Sequence, residues 1–358
     1  MRPTLFNEFK ESTALARLDA ALNRQLMAHY QTGELMAARS GLPRSTCVAL
    51  AWNIQQARVV FKDNPRLIRG VIAKAPCANA LAVWGDQQRH WIVVTEGLMT
   101  LLRDAAEANA ARVLATFPSA FAPAAGQRLL AATPLPGFKT MLGALLYFGA
   151  MSFVASHELG HHLAGHGAYF NAPGRHALLD RWDVSHALER QADAIGVGGA
   201  VLSMHKLLNR FFTATGLTAV QRKEQQTLVA IVFTAGVLTI AARLMPVDVA
   251  HQPTDAHPPN VYRMIRIAAL LMRPLRSLTL LDDPARKAIR SKCLEIVLGP
   301  HLQRDASGNT VYQPAAGGPA TLRLSGMRRA LNDPSYRAYM HQLDAGFQLF
   351  EEKLRASP

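Results

Sequence analysis

The sequence predicts a mainly α fold with a small β-sheet (α+β). Three observations carry that prediction. Alanine is abundant and aromatics make up only 7% of the chain, a balance that favours helix. Leucines recur at three- and four-residue steps over long stretches. Residues 71–94 stand apart, with short runs of branched and aromatic side chains. At 358 residues and 49% hydrophobic, the chain can bury a sizeable core, as one large domain or two modest ones.

Residues 4 to about 40 read as helix, with Leu15, Leu18, Leu22, Leu26 and Leu35 in period. Ser40-Gly41-Leu42-Pro43 breaks it. A second helix is expected from about Cys47 to Phe61, stopped near Asp63-Asn64-Pro65; both would pack around the core. Asn79–Trp84 and Trp91–Thr95 read as two neighbouring strands or a hairpin, joined through Gly85-Asp86-Gln87-Gln88. Glu96-Gly97-Leu98-Met99 then opens a helix to about Arg112.

Residues 116–139 hold Pro118, Pro123, Gly126, Pro134, Pro136 and Gly137 and keep no helical period. They read as a long loop or insertion, placed where a lid could gate the neighbouring apolar segment. Thr140–Ser156 is nearly all apolar and runs unbroken into His157; a second apolar run, Leu228–Ala242, ends at Arg243. As helices each spans about 23–26 Å, short of the roughly 30 Å hydrocarbon core, so both read as buried core helices. Gly165-His166-Gly167 ends the first.

Asp183 or Ser185 could cap the next helix, expected to reach about Phe212 with an interruption at Gly196-Val197-Gly198-Gly199. Those glycines would let it pack closely on its predecessor. From Val261 a helix runs to about Leu280, with Arg263, Arg266, Arg273 and Arg276 as a basic face, and Asp282-Asp283-Pro284 starts another. Residues 302–322 read as loop, and Ser335–Leu354 as an amphipathic helix. The division this suggests is a helical segment over 1–70, a main domain over 71–300 with an insertion at about 113–139, and a C-terminal loop and helix over 301–358.

The formal net charge is +14. The basic residues are scattered, with no run of them and no interleaved aromatics, so specific nucleic-acid binding is not expected. Peripheral contact with an anionic membrane surface stays open. Cys47, Cys77 and Cys293 are far apart and form no C-x-x-C, which fits a reduced, cytoplasmic setting, with membrane association as the alternative. The N-terminus carries Glu8, Lys10 and Glu11 and lacks the apolar segment of a signal peptide.

The chemistry concentrates in Ser156-His157-Glu158-Leu159-Gly160-His161-His162. On a helix, His157 and His161 lie one turn apart on one face, so both imidazoles can reach one metal ion. Glu158 beside them is placed to take a proton from a metal-bound water. Glu189 and Asp193 are also one turn apart. A carboxylate from a second helix would complete a His-His-Glu site, and another would hold a ligand histidine by its free N–H. His162 is expected to turn away from the metal, and His166 to act at the helix end or behind the ligands. His257, in a His-Pro-Pro turn, and Arg263 two turns on could donate to an oxyanion.

Together, H-E-L-G-H-x-x-x-x-H at His157–His166, E-x-x-A-D at Glu189–Asp193 and H-P-P-x-x-x-R at His257–Arg263 resemble the gluzincin peptidases typified by HtpX, the mitochondrial Oma-type protease and the CAAX prenyl endopeptidases. Asn79-Ala80-Leu81-Ala82, followed by Ile92-Val93-Val94-Thr95 and Gly97-Leu98, is similar to that family's N-A-F-A…V-V-T-x-G-L. The match covers roughly residues 77–270. It implies a zincin-like metallopeptidase fold. It implies Zn2+ on His157, His161 and Glu189, Glu158 as general base, Asp193 orienting a ligand histidine, and His257 and Arg263 near the active site. It makes Asn79, Ala80, Leu81 and Ala82 the strand that lines the groove for a protein or peptide substrate. The insertion before the metal helix departs from the family's pattern. The activity expected is a zinc-dependent endopeptidase. The alternatives are a silent or self-inhibited scaffold that works by binding proteins, and a membrane-surface-associated protease.

Overall fold

The computed structural model describes residues 3–37, 41–60, 68–86, 89–121, 137–167, 182–211, 218–244, 260–279 and 281–299, with short pieces between 302 and 348. It is mainly helical, with a small three-stranded sheet against the helices. The N-terminal helix expected to run to residue 40 is two helices, α1 (Pro3–Arg17) and α2 (Ala20–Tyr30). Asp19 makes the break: it sits in extended backbone and its carboxylate accepts from Leu22 N–H at 2.9 Å, capping α2. Leu35 is not helical but bridges Ala73. Helix α3 (Gly41–Val60) starts earlier than expected, with Pro43 inside its first turn where the missing N–H costs nothing.

Three strands come next in the chain. β2 (Ala80–Trp84) and β3 (His90–Thr95) form the expected hairpin, and β1 (Ile68–Ala73), which is not among the expected strands, runs parallel to β3. The order is β1-β3-β2, so β3 is central and buried at every position. A domain boundary at residue 70 would therefore fall inside β1. Side-chain alternation splits the sheet between two cores. Ile72, Ile92 and Val94 face the large helical core. Val71, Val83, Trp91 and Val93 face a smaller one shared with Leu22 and Leu26 of α2. Reciprocal carboxylates pin α2 to the hairpin. Asp19 also accepts from the Trp91 indole N–H at 2.9 Å and Asp86 N–H at 3.1 Å, while Asp86 accepts from Ala20 N–H at 2.9 Å.

Helix α4 (Glu96–Thr116) is capped by Thr95 and runs past the expected end at Arg112. Of the expected insertion, 113–116 continue α4, 118–121 make one helical turn and 137–139 open the next helix; 122–136 lie outside the described residues. Helix α5 (Gly137–Leu163) carries the H-E-x-x-H motif. Helix α6 (Trp182–Phe211) carries Glu189 and Asp193. It starts before both Asp183 and Ser185, and it passes through Gly196–Gly199 without interruption, because packing on α5 holds it straight there. Helix α7 (Ala219–Leu238) opens with a Thr218–Gln221 capping box.

The expected 261–280 helix is α8 (Asn260–Leu270) and α9 (Met272–Leu278). Helix α10 (Asp283–Leu298) starts where expected, with Asp282 as its cap. Residues 302–322 are not all loop: Leu302–Arg304, Thr310–Tyr312 and Leu322–Arg323 pair antiparallel, Val311 and Tyr312 supplying strand-forming residues. Most of the expected 335–354 helix lies outside the described residues.

Helix α5 is the hub, packed by α3, α4, α6 and α7. Helices α5 and α7 contain windows long and apolar enough to cross a membrane, and those windows are 83% and 78% buried inside the fold.

Candidate metal centre

Metal ligands on two helices converge only if the helices pack closely, and glycine makes that possible here. A Cβ on Gly160 of α5 would lie 3.1 Å from Ala192 Cα of α6. One on Gly196 would lie 3.2 Å from His157 Cβ, and one on Gly199 only 2.2 Å from Ser156 Oγ. Of the glycines singled out in the sequence, Gly196 and Gly199 thus allow the close approach expected of them, while Gly198 faces open space. A buried asparagine then ties in α3. Asn53 Oδ1 accepts from Ser156 Oγ–H at 2.9 Å and Ser203 Oγ–H at 2.7 Å. Its amide N–H groups donate to Ala49 O at 2.7 Å and Ser152 Oγ at 3.1 Å. All four hydrogen-bonding positions of Asn53 are used, and its partner Ser156 directly precedes His157.

On this frame His157, His161 and Glu189 come together, buried, with one ligand atom of each within 4.8 Å of the others. His157 Nε2 and His161 Nε2 are 3.3 Å apart. Glu189 Oε2 is 3.4 Å from His157 Nε2, and Glu189 Oε1 is 3.4 Å from His161 Nε2. A tetrahedral ion with bonds of about 2.0–2.1 Å sets neighbouring donors about 3.3 Å apart. The nitrogen pair matches that spacing and a different Glu189 oxygen faces each nitrogen, so the group could hold a metal ion.

Behind the ligands, Asp193 is 1% exposed and its Oδ1 accepts from His157 Nδ1–H at 3.0 Å, which leaves Nε2 facing the ligand cluster. Arg263 reaches in from α8. Its Nε and Nη2 donate to Asp193 at 2.8–3.1 Å, and Nη2 also lies 3.1 Å from Glu189 Oε2. Arg263 is thus not part of an exposed basic face. Its donors on these carboxylates hold the ligand frame. His257 lies outside the described residues.

The electrostatics arise from this packing. Burial and the Arg263 guanidinium act to lower the His157 pKa, but the Asp193 and Glu189 carboxylates outweigh them and carry it up to about 10. Burial works against the Asp193 carboxylate, yet Arg263 and His157 hold it below the usual carboxylate range. Arg263 loses to burial and gains more from Asp193 and Glu189, so it stays charged.

Glu158 is 9% exposed and comes directly after His157 on the same helix. Burial, and then the Glu158 charge, raise the Tyr30 phenol above its ordinary range. Burial and Arg263 lower Arg243, whose other electrostatic neighbours are Cys77, Tyr30 and Glu158. Tyr30 and Arg243 are therefore electrostatic neighbours of Glu158, and no sequence motif marks either. The sheet lies over the same helix: β2 packs on α5 and, among the described residues, pairs only with β3. The opposite edge, β1, is partly covered, since Met36 N–H donates to Ile72 O and Lys74 N–H to Glu34 O, both at 2.9 Å. Gly97 is explained too, because a Cβ there would sit 2.0 Å from Pro76 O.

His162 turns away as expected, with Nε2 3.0 Å from Trp91 O. His166 sits behind His161, ring nitrogen to ring nitrogen at 2.8 Å, and Gln191 of α6 sits behind His166 at 3.0 Å. Gln191 and Asn53 carried no signal in the sequence. A neutral residue mid-helix declares a role only when its neighbour in space is known.

No protein-family model matches the chain, no curated protein matches it, and no solved structure matches the fold.

Proposed function

We propose that this chain is a zinc-dependent endopeptidase that hydrolyses peptide bonds of a protein or peptide substrate. One observation carries the reading: two imidazole nitrogens and a carboxylate converge within 4.8 Å of one another, with an adjacent buried glutamate that is not one of the three. Two nitrogens and one oxygen are a donor set that zinc takes when a fourth position is left for chemistry. Zinc bound there supplies Lewis acidity, lowering the pKa of water toward ~7 and polarising a carbonyl.

The protein's own residues do the rest. His157, His161 and Glu189 hold the ion; Asp193 fixes the tautomer of His157; Arg263 keeps Asp193 and Glu189 in place. Glu158 takes the proton of the attacking water and passes it to the leaving amine. An extended substrate segment adds to the edge of β2, where the ladder sets its register over the metal helix.

The test is metal content and proteolysis together. The purified protein should carry one zinc, lost in His157→Ala. Glu158→Gln should keep zinc and lose cleavage by at least ~100-fold, the scale of a general base. Cleavage at the wild-type rate by Glu158→Gln would overturn the mechanism. Protein kept away from chelators that nonetheless lacks metal would overturn the site.

A further inference from the structure

Resting on that metal-site reading, we infer that His166 and Gln191 form a relay that fixes which nitrogen of His161 carries its proton, and so readies Nε2 for the ion. His161 and His166 meet Nδ1 to Nδ1 at 2.8 Å, and both rings are buried. One must donate and the other accept. On the far side, His166 Nε2 is 3.0 Å from Gln191 Oε1. A carboxamide oxygen only accepts, so His166 Nε2 carries a hydrogen. A neutral His166 then has a bare Nδ1, which accepts from His161 Nδ1–H. His161 is left with a bare Nε2, the atom 3.4 Å from Glu189 Oε1 and 3.3 Å from His157 Nε2.

The opposite setting fails. If Gln191 offered its N–H, His166 would accept at Nε2 and donate from Nδ1. His161 would then hold its hydrogen on Nε2, pointing into the ligand cluster, and would have to give it up before binding a metal. One carboxamide orientation, two rings away, thus sets how ready the second histidine is to act as a ligand. The two ligand histidines are served differently. His157 leans on a charged pair, Asp193 with Arg263, whereas His161 leans on a neutral pair. The neutral pair adds no second carboxylate on that side of the ion.

His166 and Gln191 are positioning residues, so the decisive readouts are tautomer and affinity rather than rate. The first measurement is the long-range ¹⁵N–¹H spectrum of the imidazoles in metal-free protein, which reads where each hydrogen sits. The expected result is Nδ1–H for His161 and Nε2–H for His166. The second is zinc affinity by chelator competition in wild type, Gln191→Leu, Gln191→Glu and His166→Leu, with the visible spectrum of each cobalt-substituted protein.

Gln191 is only half-buried, so its variants should fold even if His166→Leu does not. Gln191→Leu should weaken zinc binding by about 10–100-fold, the usual cost of losing such a partner. Gln191→Glu, which can only accept, should restore it to within a few-fold. Wild-type affinity in Gln191→Leu would overturn the relay, as would hydrogen on Nε2 of His161 in wild type. Wild type that binds no zinc would instead sink the metal-site reading, and the tautomer spectrum would still decide the relay.

Discussion

Arg263→Met tests whether a buried arginine holds the ligand frame. The guanidinium makes hydrogen bonds of 2.8, 2.9 and 3.1 Å to Asp193 and lies 3.1 Å from Glu189 Oε2. Asp193 and Glu189 are 1% and 8% exposed, so water cannot take over its role. Removing one partner of a buried pair leaves an uncompensated charge and costs about 3–5 kcal/mol. Here the loss should fall near the lower end, because a protonated His157 still faces Asp193 at 3.0 Å. Urea unfolding of EDTA-treated protein should therefore show about 3 kcal/mol lost. Arg263→Lys keeps the charge without the two-pronged fork and should recover part of it. A loss under ~1 kcal/mol, the worth of a surface ion pair, would refute this reasoning, because it would mean solvent already reaches these carboxylates.

Other outcomes come from the same geometry. Asn53→Ala strands the hydroxyls of Ser152, Ser156 and Ser203 and should cost about 2–4 kcal/mol in denaturant unfolding, with zinc stoichiometry unchanged. Gly199→Ala gains about 1 kcal/mol of helix propensity but sets a Cβ 2.2 Å from Ser156 Oγ, so a net loss of roughly 1–3 kcal/mol and weaker zinc binding are expected. A gain in stability there would mean that the α5–α6 spacing is not fixed at that glycine. His157 titrates in the metal-free fold at about 10, above its ordinary 6.5. A raised pKa contributes stability that is complete below the unfolded value and lost as pH climbs through the folded one. Thermal melts of metal-free protein should fall between about pH 7 and about 10, and His157→Ala should lack that slope.

What the sequence made legible were the periodic and the chemically loaded elements. The H-E-x-x-H helix, the Glu189–Asp193 turn, the hairpin and the Asp282 cap each depend on residues within a few positions of one another, and each stands where expected. The misses have a common cause. β1 becomes a strand only through a parallel partner some twenty residues on, and Leu35 leaves the helical pattern to bridge Ala73. Gly196–Gly199 weakens a helix locally, yet α6 continues because its neighbour fills the space the missing side chains vacate. The site divides the same way. His157, His161 and Glu189 announce themselves by chemistry and spacing. Gln191 and Asn53 matter only through what packs against them.

The long apolar helices show how a buried cluster of polar side chains shapes composition. Helix α5 is surrounded by α3, α4, α6 and α7, so it has almost no face left for polar residues except the one that carries His157, Glu158 and His161. Helix α7 crosses it at Gly149 and Gly236, where an added Cβ on Gly149 would lie 2.9 Å from Gly236 Cα. Side chains excluded from water on every side must be apolar or paired, and four polar residues on α5 are paired in this way: Ser152 and Ser156 with Asn53, His157 with Asp193, His161 with His166. The apolar character that would suit a lipid bilayer is here accounted for by protein neighbours. The same exclusion of water strengthens the ion pairs around His157 and keeps the ligand histidines from trading their partners for solvent.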